Sequence, residues 1–263
     1  MATILHQPSA SFFSRKPAPK GELSTWSLAG FSTLAVPIYA AQMPMAVYLP
    51  AIYAQHFGLS LGVIGAIFLA ERLWGAFADP LIGSFSDRTR SRFGRRRPWI
   101  VAGAILYALA AVALFFPANP ISPLYLTIGL FVFYLGSSMI QIPYLAWSGE
   151  ISGAYHERTR VATYQAVSGA AALLLVLILP TIVDQVRPQD GALKLAAMGG
   201  VILLSLILSL PFTLRAFPEP SAPAAAAGPR PSLLRTLEVV VRERLLMRVL
   251  LSDFSVRAAQ SVR

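Results

Sequence analysis

Glu71, Arg72 and Asp79 stand inside the otherwise apolar run "IFLAERLWGAFADPLIG", Ile67 to Gly83. An ionisable group set among leucines and isoleucines can hold a proton, ligate a cation or pair with a base, and such groups face a bundle interior or a polar path. At 3.6 residues per turn, Arg72, Gly75, Asp79 and Gly83 fall on one stripe of a helix, with Arg72 and Asp79 roughly 10 Å apart along its axis. Direct pairing requires the arginine to reach along the helix; otherwise water or a ligand lies between them. The stripe reads as the wall of a polar pathway, with an ion pair that merely holds helices together as the alternative. Glu71 points about 100° away from Arg72 and is read as structural.

A second group closes the stretch "GSSMIQIPYLAWSGE", Gly136 to Glu150. Gln141, Tyr144, Trp147 and Ser148 lie near one another at helical spacing, and Pro143 frees a backbone carbonyl there. An amide beside aromatic rings suits a sugar, whose hydroxyls bond the amide while its apolar face stacks on the ring. Ordinary interhelical hydrogen bonding explains the same residues equally well. Tyr39 with Gln42, and Tyr164 with Gln165, are weighed in the same way. No catalytic set emerges. There is no cysteine, and His6, His56 and His156 are scattered, so the sequence predicts neither an enzyme, nor a metal centre, nor a bound cofactor.

The third group is "DRTRSRFGRRRPW", Asp87 to Trp99, with six arginines. Gly83 allows close helix approach, Asp87 marks a helix end, Gly94 permits a turn and Pro98 opens the next helix. Asp87, Arg88, Arg92 and Gly94, with Gly83 and with Glu150, Glu157 and Arg158 of a later loop, could form a charged gate. Anchoring to anionic lipid, at about 1 kcal/mol per basic residue, accounts for the same cluster, and Arg95–Arg97 are expected mainly to anchor.

These residues must be positioned by membrane helices. Of the 263 residues 56% are hydrophobic and only 13% charged, with a mean hydropathy of +0.61, against about 25% charged in a soluble domain. A bilayer core needs about 20 apolar residues per helix, and six segments qualify, at 26–54, 59–85, 99–116, 124–147, 161–183 and 195–214. Alternating ten-residue strands, the other way to span, are absent. The net charge of +10 sits in clusters between apolar runs, which favours a membrane surface over nucleic acid. Arg15, Lys16, Lys20, the arginines of 88–97, Arg158, Arg160 and those from Arg215 to Arg248 fall on one side, and only Arg187 and Lys194 on the other. The asymmetry predicts a cytoplasmic N-terminus. Residues 1–25 read as a disordered cytoplasmic N-terminus and 26–215 as the bundle. Residues 216–244 read as a cytoplasmic linker with an amphipathic helix, and 245–263 as the truncated start of a seventh helix.

The order W-x-x-x-x-D-P-x-x-G, then D, then R-x-G-x-x-R-P-W, running from Trp74 to Trp99, is followed by "IPYLAWSGEIS" and "YHERTR". In these motifs the chain resembles the glycoside–pentoside–hexuronide:cation symporters, the melibiose-permease-like branch of the major facilitator superfamily. The resemblance implies an all-α membrane fold in which this chain is the six-helix N-terminal half, built of 3+3 inverted repeats, with a C-terminal six-helix half as its missing partner. It implies alternating-access transport of a sugar or glycoside across the cytoplasmic (inner) membrane, with membrane lipid around the bundle. Asp79 matches the second aspartate of the family's cation site and Arg72 its helix-2 arginine. The first aspartate is Gly75 here, a helix-4 acid is Gln141, and a helix-5 arginine is Gln165. One remaining carboxylate suits a proton better than sodium, so Asp79 with Arg72 is the expected coupling group. Tyr39, Gln42, Gln141, Tyr144, Trp147 and Gln165 are the candidate substrate contacts. A lipid or lysophospholipid cargo, and a non-transporting membrane fragment or scaffold, are the competing readings.

Overall fold

A computed structural model describes residues 23–118, 121–151, 155–188 and 190–217, together with 247, 248, 252 and 255. The chain divides into two compact units, Met1–Pro220 and Ser221–Arg263. The expected N-terminal tail, and almost all of the expected linker and seventh helix, lie outside the described residues.

Among the described residues six helices are long and apolar enough to cross a membrane: α1 Thr25–Phe57, α2 Leu61–Arg88, α3 Arg97–Phe115, α4 Pro123–Ile151, α5 Tyr155–Val186 and α6 Gly191–Ala216. No strand occurs among the described residues. Helix ends are set by local chemistry. The Ser60 hydroxyl accepts from the Val63 amide at 3.3 Å at the start of α2, and Asp190 accepts from the Leu193 amide at 2.9 Å at the start of α6, each satisfying an amide that has no helical partner. Gly58 closes α1 in the left-handed region at φ 70°, where a side chain would be strained. Proline shapes α1 from within. Thr25–Ser32, Ala35–Ala40, a π-helical turn at Pro44–Tyr48, and Leu49–Phe57 follow one another as separate pieces, because each proline removes a backbone donor.

Two ends extend well beyond the apolar runs. α5 begins at Tyr155, six residues before the expected Val161, and α4 continues to Ile151 rather than Trp147. Both extensions are polar helical turns that hydropathy alone does not see.

The packing has an internal symmetry. α2 lies on α4 as α5 lies on α1, α3 contacts α4 as α6 contacts α1, and α3 meets α6. Exchanging each helix with the one three places later maps these contacts onto one another, as expected of two three-helix repeats, while α5 packs on α6 with no contact of like extent between α2 and α3. Lipid tails are as apolar as leucine, so helices associate through close fit and polar contacts. The fit between α3 and α4 is close on both sides. A Cβ added to Gly136 would lie 2.5 Å from the Tyr107 amide nitrogen, and one added to Gly103 would lie 2.7 Å from the Met139 Cβ. Polar ties complete the bundle. The Tyr107 hydroxyl donates to the Pro37 carbonyl at 2.9 Å and Tyr53 to the Leu114 carbonyl at 2.8 Å.

Candidate functional site

The helix-2 stripe forms as the spacing requires. Arg72 and Asp79 are both on the exposed side of α2, while Gly75 and Gly83 are half-buried. Gly83 lets α4 approach, the space of its absent Cβ lying 3.6 Å from the Ile142 Cγ2. Neither Arg72 nor Asp79 forms an ion pair within 4.0 Å among the described residues, leaving the space between them to solvent or ligand. Glu71 lies on the adjoining, buried face of α2, only 4% exposed, and its Oε2 makes no hydrogen bond. Its structural reading therefore needs correction. A group that makes no bond does not tie helices together.

The polar and aromatic candidates separate into two sets. Tyr39, Gln42 and Gln141 lie on accessible surface. Tyr39 packs its ring over Gly169 of α5, so closely that a Cβ there would lie 2.6 Å from the Tyr39 Cδ2. Gln165, one turn earlier on α5, is half-buried with its Nε2 unpartnered. Tyr39 and Gln165 are both electrostatic neighbours of Tyr144, so α1, α4 and α5 bring three of the predicted residues into one region. Tyr144 and Trp147, by contrast, are not surface residues. Tyr144 is 5% exposed and donates to the Phe31 carbonyl at 3.0 Å. Trp147 is fully buried, with the Phe31 ring edge-on at 5.3 Å. Helical spacing places them beside Gln141, but the face they share with it turns into the α1–α4 contact.

The arginine-rich end is held by a compact charge network. Arg96, 3% exposed, places its Nη2 2.6 Å from the Glu150 Oε1 and 3.7 Å from the Asp87 Oδ1. Arg95 Nη2 reaches both oxygens of Glu150, at 2.9 and 3.0 Å. The arrangement joins the end of α2, the turn before α3 and the end of α4. Burial pulls the Arg96 guanidinium below its usual range, and the Glu150 carboxylate works against that shift. Gly94 makes the turn possible at φ 106°, and Trp99 Nε1 fastens it by donating to the Thr89 hydroxyl at 2.7 Å. Arg97 donates to the Phe217 carbonyl at 2.9 Å and stands over the Trp147 ring at 5.5 Å.

The division of labour among the arginines thus differs from the one expected. Arg95, Arg96 and Arg97, assigned to anchoring, make the interhelical contacts. Arg88 is exposed, and Arg92 is exposed with its guanidinium 4.6 Å from the Phe93 ring centre. Glu157 pairs within its own helix, with Arg160 at 2.9 Å, while Arg158 is exposed on the first turn of α5. The sequence held one signal for the network: Glu150 is the sole acid at the end of α4, opposite a cluster that must neutralise something.

The fold and the site define a multi-pass membrane protein, one six-helix bundle of the major-facilitator type. Residues 30–263 match the family described as MFS/sugar transport protein, and the chain belongs to it. Among curated relatives, an uncharacterized symporter of Synechocystis sp. is 32% identical over 168 residues, covering 57% of this chain and 30% of that protein. The putative glycoside/cation symporter YagG of Escherichia coli is 30% identical over 162 residues, covering 58% of this chain and 35% of that protein. A sucrose transport protein of Arabidopsis thaliana is 30% identical over 123 residues, covering 42% and 24%. The chain thus spans about a third or less of the length of the relatives it matches. These matches agree with the resemblance to glycoside–pentoside–hexuronide:cation symporters drawn from the motifs.

Proposed function

We propose that this chain supplies one six-helix half of a proton-coupled carrier of sugars or glycosides, working by alternating access in the cytoplasmic membrane with its N-terminus inside. The observation that carries this reading is the placement of Arg72 and Asp79 together on the accessible stripe of α2, unpaired with each other, while the arginine-rich end is tied by Glu150. A carboxylate beside an open path can take a proton from one side and give it to the other. A charge network at one end holds one of the two conformations until the bundle rocks. The second six-helix half would close the path over the faces of α1, α2 and α5 that bear Tyr39, Gln42, Arg72 and Asp79. Tyr39, Gln42, Gln141 and Gln165 are the side chains assigned to the sugar. The names of the relatives, a glycoside/cation symporter and a sucrose transport protein, support that substrate class. With Gly75 and Gln141 at two positions where the resembled family carries acids, the accessible stripe offers a single carboxylate, which suits a proton.

The test is uptake of labelled glycoside by cells expressing the carrier, with Asp79→Asn beside the parent. The variant is expected to lose accumulation against a gradient and to keep exchange. Unchanged proton-driven accumulation would refute the role of Asp79. Failure of free sugars to compete, with competition by lysophospholipid instead, would move the cargo to the lipid class.

A further inference from the structure

We propose that Glu71 is a second proton-binding carboxyl, set in the seam between α2 and α4 and released to ionise when that seam loosens; this rests on the reading of the bundle as a proton-coupled carrier. The burial of Glu71 is a separate observation from the exposure of Asp79. Glu71 is 4% exposed and its Oε2 is sealed from solvent without a hydrogen-bond partner. No ion pair or hydrogen bond to this carboxyl occurs among the described residues. An ionised carboxylate sealed in a helix seam is costly unless it is paired, so the packed arrangement selects the protonated form.

The surroundings supply what a reversible site needs. One turn along, Gly75 leaves open the space its Cβ would fill, 3.8 Å from the Glu71 Oε1. A larger residue would wall the carboxyl in, whereas glycine leaves room for water to reach it as α2 and α4 part. The charged and titratable groups around Glu71 are few and defined. Arg72 and Asp79 stand on its own helix, and Tyr134 is its neighbour on α4. Arg72 lies about 100° round the helix, so its side chain stabilises the anion best when the carboxyl swings out of the seam. Asp79 lies eight residues on, about 12 Å along the axis, too far for a direct proton transfer. The two acids therefore answer to different surroundings: Asp79 to the open path, Glu71 to the contact between α2 and α4.

The proton balance is simple. Glu71 carries a proton and no charge while the seam is closed, gives the proton to water when the seam opens, and regains one before it closes again. A merely structural carboxyl would keep a single protonation state throughout.

The experiment is an infrared difference titration of the purified carrier in lipid vesicles, between acid and alkaline pH, on the parent, Glu71→Gln, Glu71→Asp and Asp79→Asn. The carbonyl-stretch band of a protonated, dry carboxyl is expected in the parent and to fade as pH rises. It should be missing from Glu71→Gln, shifted in Glu71→Asp and retained in Asp79→Asn. Persistence of the band in Glu71→Gln overturns the proposal, and so does a Glu71 band that never titrates. Thermal unfolding of Glu71→Asp confirms that the seam still forms. Vesicle uptake with an internal pH dye separates this result from the broader reading. A titrating Glu71 without proton movement during uptake refutes proton coupling while the site stands. Proton movement unaltered in rate and pH profile by Glu71→Gln refutes the site while coupling stands.

Discussion

The Arg96 guanidinium lies 2.6 Å from the Glu150 carboxylate while remaining almost fully buried, so the turn before α3 and the far end of α4 share one charge pair. Glu150 also holds Arg95. A single acid thereby restrains two arginines, and its removal is the sharpest way to loosen that end of the bundle.

Glu150→Gln retains the side-chain shape but removes the charge that Arg96 relies on. Loss of a charge-assisted hydrogen bond of this kind costs about 1.5–3 kcal/mol. The melting temperature in detergent should fall. The chain has no native cysteine, so a single Gln165→Cys reporter, at a half-buried position, reads opening of the bundle. Its labelling should quicken roughly tenfold for each 1.4 kcal/mol lost from the closed form. Equal labelling rates with and without Glu150 would remove the network from any gating role.

Gly136→Ala places a methyl group against the Tyr107 backbone, where 2.5 Å is available. Forcing α3 and α4 apart should cost about 1–3 kcal/mol, read as a lower melting temperature. Gly65→Ala, with nothing within 4 Å of the new methyl, is the control and should gain about 0.5–1 kcal/mol through helix propensity. Opposite signs at two glycines of one fold would verify the contact; equal effects would contradict it.

Tyr144→Phe removes the buried hydrogen bond to the Phe31 carbonyl. The expected loss is about 1 kcal/mol of stability with the apparent affinity for substrate unchanged, since this hydroxyl is already occupied. Gln141→Ala, at an accessible position on the same helix, should do the reverse, raising KM with little effect on melting. Uptake kinetics and a melting curve on both variants decide the matter.

Gly169→Ala must displace the Tyr39 ring, which packs directly on it. Substrate affinity should fall several-fold, and Tyr39→Ala in the same chain should bring no further loss, because the ring has already left its place. Additive losses would mean that the two residues act separately.

Much of this was legible before any coordinates. Six apolar runs of sufficient length fix six helices, and the 3.6-residue period correctly gathers Arg72, Gly75, Asp79 and Gly83 on one face of α2. Periodicity says which residues share a face, but not which neighbour that face meets. Tyr144 and Trp147 therefore joined Gln141 on paper and belong to the core in space. Hydropathy hides the early start of α5, because Glu157, Arg158 and Arg160 break the apolar run without breaking the helix. The arginines that make interhelical contacts could not be told from those that do not. That distinction depends on Gly94 turning the chain so that Arg96 points back at Glu150. The environment of Glu71 is hidden for a related reason. Only packing reveals that the face beside the stripe, where Glu71 lies, is sealed.

The pieces of α1 give the molecule an uneven stiffness. A continuous helix resists bending along its whole length, whereas one already interrupted by proline and a widened turn yields at the interruption. Leu49–Phe57 is secured to α3 by Tyr53, and the Phe31 end is clamped by Tyr144 and Trp147. Between these two fixed ends, the π-helical turn at Pro44–Tyr48 leaves Ala46 and Val47 uncovered. Flexure of the rod is thus expected at a joint near its middle rather than at its two secured ends.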